Sequence, residues 1–180
     1  MKTQIAAGLA LCLMASAVQA DVTIGNPMAQ TGPIPDLVAP MVQAVDLAVD
    51  HVNSQGGMFA GGEQLNIARV DTGCDPVAGV DAVTKLINVS MVTGIVGPVC
   101  SGATIAQAES VSIPAGVVTL SVSASSPMIT NMETGTDLVF RTAASDAYQG
   151  VALAELALAK GIKDIAVSYA NDDYNAAIAG

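Results

Sequence analysis

Ser101, a run of serines at 121–126 and two cysteines, Cys74 and Cys100, are the residues of this chain whose types and spacing could do chemistry. Ser101 follows Gly97-Pro98-Val99-Cys100 and opens a helix-like stretch. Its hydroxyl and the first unpaired N–H groups of that helix would point the same way, an arrangement that holds an anion without a cation. Serine is equally a favoured N-cap, and from its position alone both readings stand. Ser121, Ser123, Ser125 and Ser126 supply a second set of donors and acceptors, although serine-rich loops are also ordinary turn chemistry. Asp172 and Asp173 could suggest a metal, but two adjacent carboxylates read more simply as a solvated loop. Neither Cys74 nor Cys100 has a C-x-x-C partner, and the single histidine, His51, cannot complete a zinc site with them. No metal and no cofactor are expected.

Covalent catalysis needs a nucleophile, a base and a group that orients the base. His51 falls late in the first helix, away from both serine sets, and no G-x-S-x-G, H-E-x-x-H or G-x-x-x-x-G-K-[ST] pattern occurs. The glycine pairs 56–57 and 61–62 sit between a helix and a strand, where they serve a turn better than a phosphate. No catalytic residue is assigned. Sixteen acidic against six basic side chains leave a net charge of −10, a field that repels a nucleic-acid backbone. With 52% apolar residues but only 3% aromatic ones, the core must be built from small and branched aliphatics.

The one long apolar stretch free of charge is N-terminal. Lys2, then Ile5 to Val18, then Val18-Gln19-Ala20 before Asp21, match the three parts of a secretory signal, with cleavage expected after Ala20. A retained membrane helix needs about 20 apolar residues and stronger charged flanks, and a lipid anchor at Cys12 would lie too early and behind a bulky Leu11. Export into an oxidising compartment would join Cys74 to Cys100, contributing roughly 3–4 kcal/mol by loop closure. Two free buried thiols are the alternative.

The elements that must position these residues alternate. Val22 to Met28 reads as a strand, and Asp36 to Ser54 as a helix with apolar residues at three- and four-residue spacing. Leu65 to Val70 is a second strand; Asp75-Pro76 then offers an N-cap and first-turn proline for a second helix. Val92–Val96, Gly116–Leu120, Leu138–Arg141 and Ile165–Tyr169 are four further strands, with helices near Ala103–Ser110 and Asp146–Lys160. Repeats of this length predict an α/β fold: a Rossmann-like parallel sheet with helices on both faces and right-handed crossovers. Ligands of such sheets bind beyond the carboxyl ends of the strands. Cys74, Cys100, Ser101 and the serine cluster all follow strands there.

Several segments together resemble the periplasmic leucine/isoleucine/valine-binding proteins. They are Thr31-Gly32-Pro33, Asn53-Ser54-Gln55-Gly56-Gly57, Asp71-Thr72-Gly73-Cys74-Asp75-Pro76, Val96-Gly97-Pro98-Val99-Cys100-Ser101, the Ser121–Pro127 loop, and Phe140-Arg141-Thr142 with Asp146 and Gln149-Gly150. The resemblance covers nearly all of residues 21–174. It implies a type I periplasmic binding fold, with residues 1–20 a signal peptide, 21–141 the first lobe and 142–180 the start of an incomplete second lobe. It further implies a monomer at full length that closes on an amino acid and passes it to an ABC permease. The ligand residues it implies are Ser101 and Cys100 after the third strand, Ser123, Ala124 and Ser125 after the fourth, and Tyr148; the family disulfide maps onto Cys74 and Cys100. The chain departs from the family pattern at Leu37, where an aromatic is frequent, and at Ala44, where a glycine is. Family members are about twice this length, so the sequence reads as a fragment or truncated product. A ligand-sensing module of the same fold is the competing expectation.

Overall fold

The computed structural model describes residues 21–58, 62–132 and 137–179. The export signal expected at 1–20, and Gly61 of the second glycine pair, lie outside these residues. Five parallel strands form one sheet in the order β2-β1-β3-β4-β5: β1 (Val22–Met28), β2 (Leu65–Asp71), β3 (Gly94–Val96), β4 (Thr119–Ser121) and β5 (Val139–Arg141). The order reverses after β2. Right-handed crossovers therefore put α1 (Pro35–Ser54) on one face and α2 (Pro76–Asn88) and α3 (Ser101–Gln107) on the other. This is the Rossmann-like parallel sheet with helices on both faces that the sequence predicts.

Two apolar clusters record the two faces. Met28, Ala29, Val38 and Val99 pack beneath α1, with Met41 and Val42 against them. Val83 and Leu86 of α2 pack with Val92 and Ile95 on the other face. Local chemistry starts α2 at the strands' carboxyl edge. Asp75 caps α2, its carboxylate accepting the Ala78 N–H at 2.8 Å with Pro76 in the first turn.

The structure corrects several sequence expectations. The third strand is shorter than Val92–Val96, because Val92 serves the core as an entry turn; the fourth begins at Thr119, because Gly116 adopts φ +69° in the preceding turn. The third helix begins at Ser101 and continues past Gln107 as a wider π-helical turn over Ala108–Ser112. The run Ile165–Tyr169 forms no strand: no described strand lies beside it, and its Ile165, Val167 and Tyr169 side chains are exposed. A strand is a pairing, and β-branched composition does not supply the partner. The one-turn helix α4 (Pro127–Thr130) precedes β5, and α5 (Ala147–Ala159) and α6 (Asp173–Ala179) follow it. Among the described residues no helix is long and apolar enough to cross a membrane.

Candidate functional site

The rim at the carboxyl ends of the strands is assembled from five loops. The first two are clasped together by Asp71, at the end of β2. Its carboxylate accepts the N–H groups of Gln30, Thr31 and Gly73 and the hydroxyl of Thr31. Partial burial raises the Asp71 pKa, but these four hydrogen bonds outweigh it and hold the group below its ordinary value. The loops touch closely enough that Gly32, at φ +89°, has no room for a side chain: a Cβ there would fall on the Gly73 carbonyl oxygen. Next to this clasp, Cys74 and Cys100 form a disulfide with Cα atoms 5.4 Å apart, tying the loop after β2 to the loop after β3.

The loops after β3 and β4 are joined by serine hydroxyls. Ser121 Oγ donates to the Pro98 carbonyl at 2.6 Å and accepts the Ala124 N–H at 3.1 Å. Ser123 Oγ donates to the Val99 carbonyl at 3.0 Å. Ala124 is buried with Ile105 and Ile129, which anchors the middle of this loop. Ser101 is only 2% exposed, and its Oγ accepts the Ser126 N–H at 3.3 Å. It is the first residue of α3 and does not cap it; Cys100 occupies the N-cap position with no side-chain bond. Of the two readings open at Ser101, capping therefore falls, because the hydroxyl faces across to the neighbouring loop. Ser126 is the serine that caps, its Oγ accepting the Met128 N–H at the start of α4.

The fifth loop closes on the fourth. Ser125 Oγ donates to Asp146 Oδ2 at 2.6 Å, and Asp146 N–H donates back to the Ser125 carbonyl at 3.0 Å. Arg141, at the end of β5, donates to the Ser126 carbonyl at 2.8 Å and to the Thr130 hydroxyl. The structure thus brings Cys100, Ser101, Ser123, Ala124 and Ser125 onto one rim. Tyr148 stands apart from them, 75% exposed, beside a separate open cavity of about 290 Å³ lined also by Arg141, Ser145 and Pro127. Asp146 and Arg141 were legible as a helix start, a strand end and parts of the Phe140–Gly150 motif. Nothing in their types announced that both would bond the serine loop.

Of the other candidates, Asp173 lies against Gly102 at the start of α3, whereas His51 and Asp172 do not join the rim. His51 is in the last turn of α1, at the amino edge of the sheet. Asp172 accepts the backbone and side-chain N–H groups of Asn175, which lower its pKa from the ordinary value, and so acts as a local turn cap. Among the described residues no cluster of three metal-ligating side chains occurs. Several buried polar residues escaped the sequence reading, among them Thr104, Gln107, Thr119 and Asn26. Asn26, in β1, accepts Arg69 Nε at 2.7 Å and donates to the Val96 carbonyl at 2.6 Å, bridging three strands. Its signal was a lone amide within an apolar strand run.

The profile of the family described as "Receptor family ligand binding region" matches residues 41–179. The chain belongs to this family. A Leu/Ile/Val-binding protein of Rhizobium johnstonii, BraC3, is 31% identical over 96% of this chain and 45% of its own length. A chemotactic signal transduction system substrate-binding protein of Halobacterium salinarum, BasB, is 32% identical over 75% of this chain and 33% of its own. Among solved structures, an ABC transporter substrate-binding protein of Desulfitobacterium hafniense in complex with Leu superposes with a TM-score of 0.70 at 25% identity, covering 89% of this chain and 45% of that one. The chain thus spans less than half the length of the curated relatives it matches. The resemblance read from the rim motifs and the family assignment agree.

Proposed function

We propose that this family member is the solute-binding component of an ABC importer, exported to the periplasm, which captures a small aliphatic amino acid of the branched-chain type and passes it to an inner-membrane permease. On this reading residues 21–141 form the first lobe and residues from 142 begin the second. The ligand lies against Cys100, Ser101, Ser123, Ala124 and Ser125, and Tyr148 is brought toward it as the lobes close. It is a binding protein and not an enzyme, as the relatives' names are those of binding proteins.

The observation that carries the proposal is the hydrogen-bonding state of Ser101. Its Oγ already accepts the Ser126 N–H, so the hydroxyl's own proton is the group it has left to offer. It sits at the start of a helix, beside N–H groups that lack intrahelical acceptors. A ligand carboxylate is the acceptor that suits both, and no cation is required. Arg69 is committed to Asn26 and Asp46, and Arg141 to Ser126 and Thr130, so neither offers a free clamp.

Titration calorimetry of the full-length protein with a panel of amino acids tests this reading. Binding of leucine, isoleucine or valine is expected, and absence of binding across the panel would remove it. Ser101→Ala should lose one charge-assisted hydrogen bond, about 1.5–3 kcal/mol of affinity, or roughly a 10- to 150-fold rise in Kd. Ser126→Ala keeps its backbone N–H and should leave affinity nearly unchanged. A second reading, a ligand-sensing module not coupled to transport, is favoured by the similarity to BasB. Genes for a permease and an ATPase beside this one separate importer from sensor.

A further inference from the structure

We propose that Asp146 is a positioning residue: by taking the proton of the Ser125 hydroxyl it presents Ser125 to the ligand as an acceptor only, and so makes a protonated amine a requirement for binding. The proposal rests on the amino-acid reading above and narrows its ligand class to α-amino acids, as against the corresponding 2-oxo acids.

The geometry is a closed pair of bonds. The Ser125 hydroxyl donates to Asp146 Oδ2 at 2.6 Å while the Asp146 N–H donates to the Ser125 carbonyl at 3.0 Å, so side chain and backbone of the two residues are locked together. A hydroxyl has one proton and two lone pairs. With its proton committed to a carboxylate, Ser125 has lone pairs alone to offer a third partner. One peptide unit further on, the Ser126 N–H donates to Ser101 Oγ, which fills an acceptor site on Ser101 and leaves its proton to give. The hydroxyls of Ser101 and of Ser125, whose next residue bonds Ser101, are thus set with opposite polarity: Ser101 toward an acceptor, Ser125 toward a donor. An α-amino acid carries that pair on adjacent atoms, as carboxylate and ammonium. A 2-oxo acid offers a carbonyl oxygen where the ammonium stood, and two acceptors would then face each other without a proton between them. Asp146 also adds negative charge behind Ser125, which favours a cationic partner there.

Asp146 begins α5, whereas Ser125 belongs to the loop after β4, so the orientation is imposed by tertiary contact. Without Asp146 the Ser125 hydroxyl is a free rotor that can donate or accept.

The test measures Kd for leucine, isoleucine and valine and for their 2-oxo acids, in the full-length protein, by calorimetry. Asp146→Ala should narrow the preference for the amino acid over its 2-oxo counterpart by at least about tenfold, with most of the change in the amino-acid Kd. Ser125→Ala, which removes the same acceptor without touching α5, should narrow it similarly and guards against a folding defect in the first variant. Ser101→Ala should weaken both ligand types together and leave their ratio. If either the Asp146 or the Ser125 variant binds and keeps the wild-type ratio, or loses both ligands in parallel, the positioning role is overturned while the amino-acid reading stands. Failure of the wild-type protein to bind any amino acid overturns both.

Discussion

Helices α2 and α5 each have 13 residues, and α5 is the more apolar, yet they fare oppositely. In α2, Gly79, Ala82, Val83 and Leu86 are buried; in α5 no residue is, and Val151, Leu153 and Leu156 are each more than half exposed. The difference is what lies beneath. Helix α2 rests on β1 and β2 with α3 alongside, so its apolar stripe meets Val92 and Ile95. Helix α5 has the Ile165–Tyr169 segment and α6 beside its middle, and α4 and Arg141 beside its first turn, but no sheet face beneath it among the described residues. Apolar content makes a helix able to be buried, and a sheet of the right width decides whether it is.

Mutation can break this contrast directly. Leu86→Ala should cost about 2–5 kcal/mol in denaturant unfolding of this chain, by lost transfer energy and a cavity between α2 and the sheet. Leu156→Ala should stay within about 0.5 kcal/mol, as for other exposed positions. Equal losses at both sites would show that α5 is as well covered as α2.

The rim belongs to the well-packed region, and two of its ties sharpen the comparison. Cys74→Ser removes the bridge between the second and third rim loops and should cost roughly 3–4 kcal/mol in the same unfolding assay. Mass spectrometry of oxidised protein should find no free thiol at Cys74 or Cys100. The Asp71 clasp should matter less, and in a pH-dependent way. Its folded-state pKa lies below the ordinary 3.8, so the folded chain binds fewer protons than the unfolded one. Its stabilisation is therefore full above about pH 4 and is lost as pH falls through the lowered value. Asp71→Asn should flatten the acid limb of the stability profile and lower stability at pH 7. A variant whose acid limb superposes on the wild type would remove the clasp.

The smallest effect is expected at Ser126, the cap of α4. Ser126→Ala should lower stability by about 1 kcal/mol, read as a shift in the unfolding midpoint. No loss would mean that this one-turn helix is held by Ile129 in its apolar cluster instead.

Sequence alone determined those features in which short-range chemistry decides. The alternation of apolar runs with turn residues gave the parallel α/β order, Asp75-Pro76 marked the start of α2, and the position of Cys74 and Cys100 after successive strands anticipated their bond. Tertiary structure alone decided matters that depend on distant partners. Ile165–Tyr169 has strand composition but no neighbouring strand to bond among the described residues. Ser101 has the type of a cap, yet it is the first residue inside α3 and its hydroxyl turns to Ser126, 25 residues away. Ser125 and Asp146, 21 residues apart, meet only because β4 and β5 lie side by side. A hydroxyl donates or accepts according to the atoms around it, and those atoms come from loops that only the folded sheet brings together.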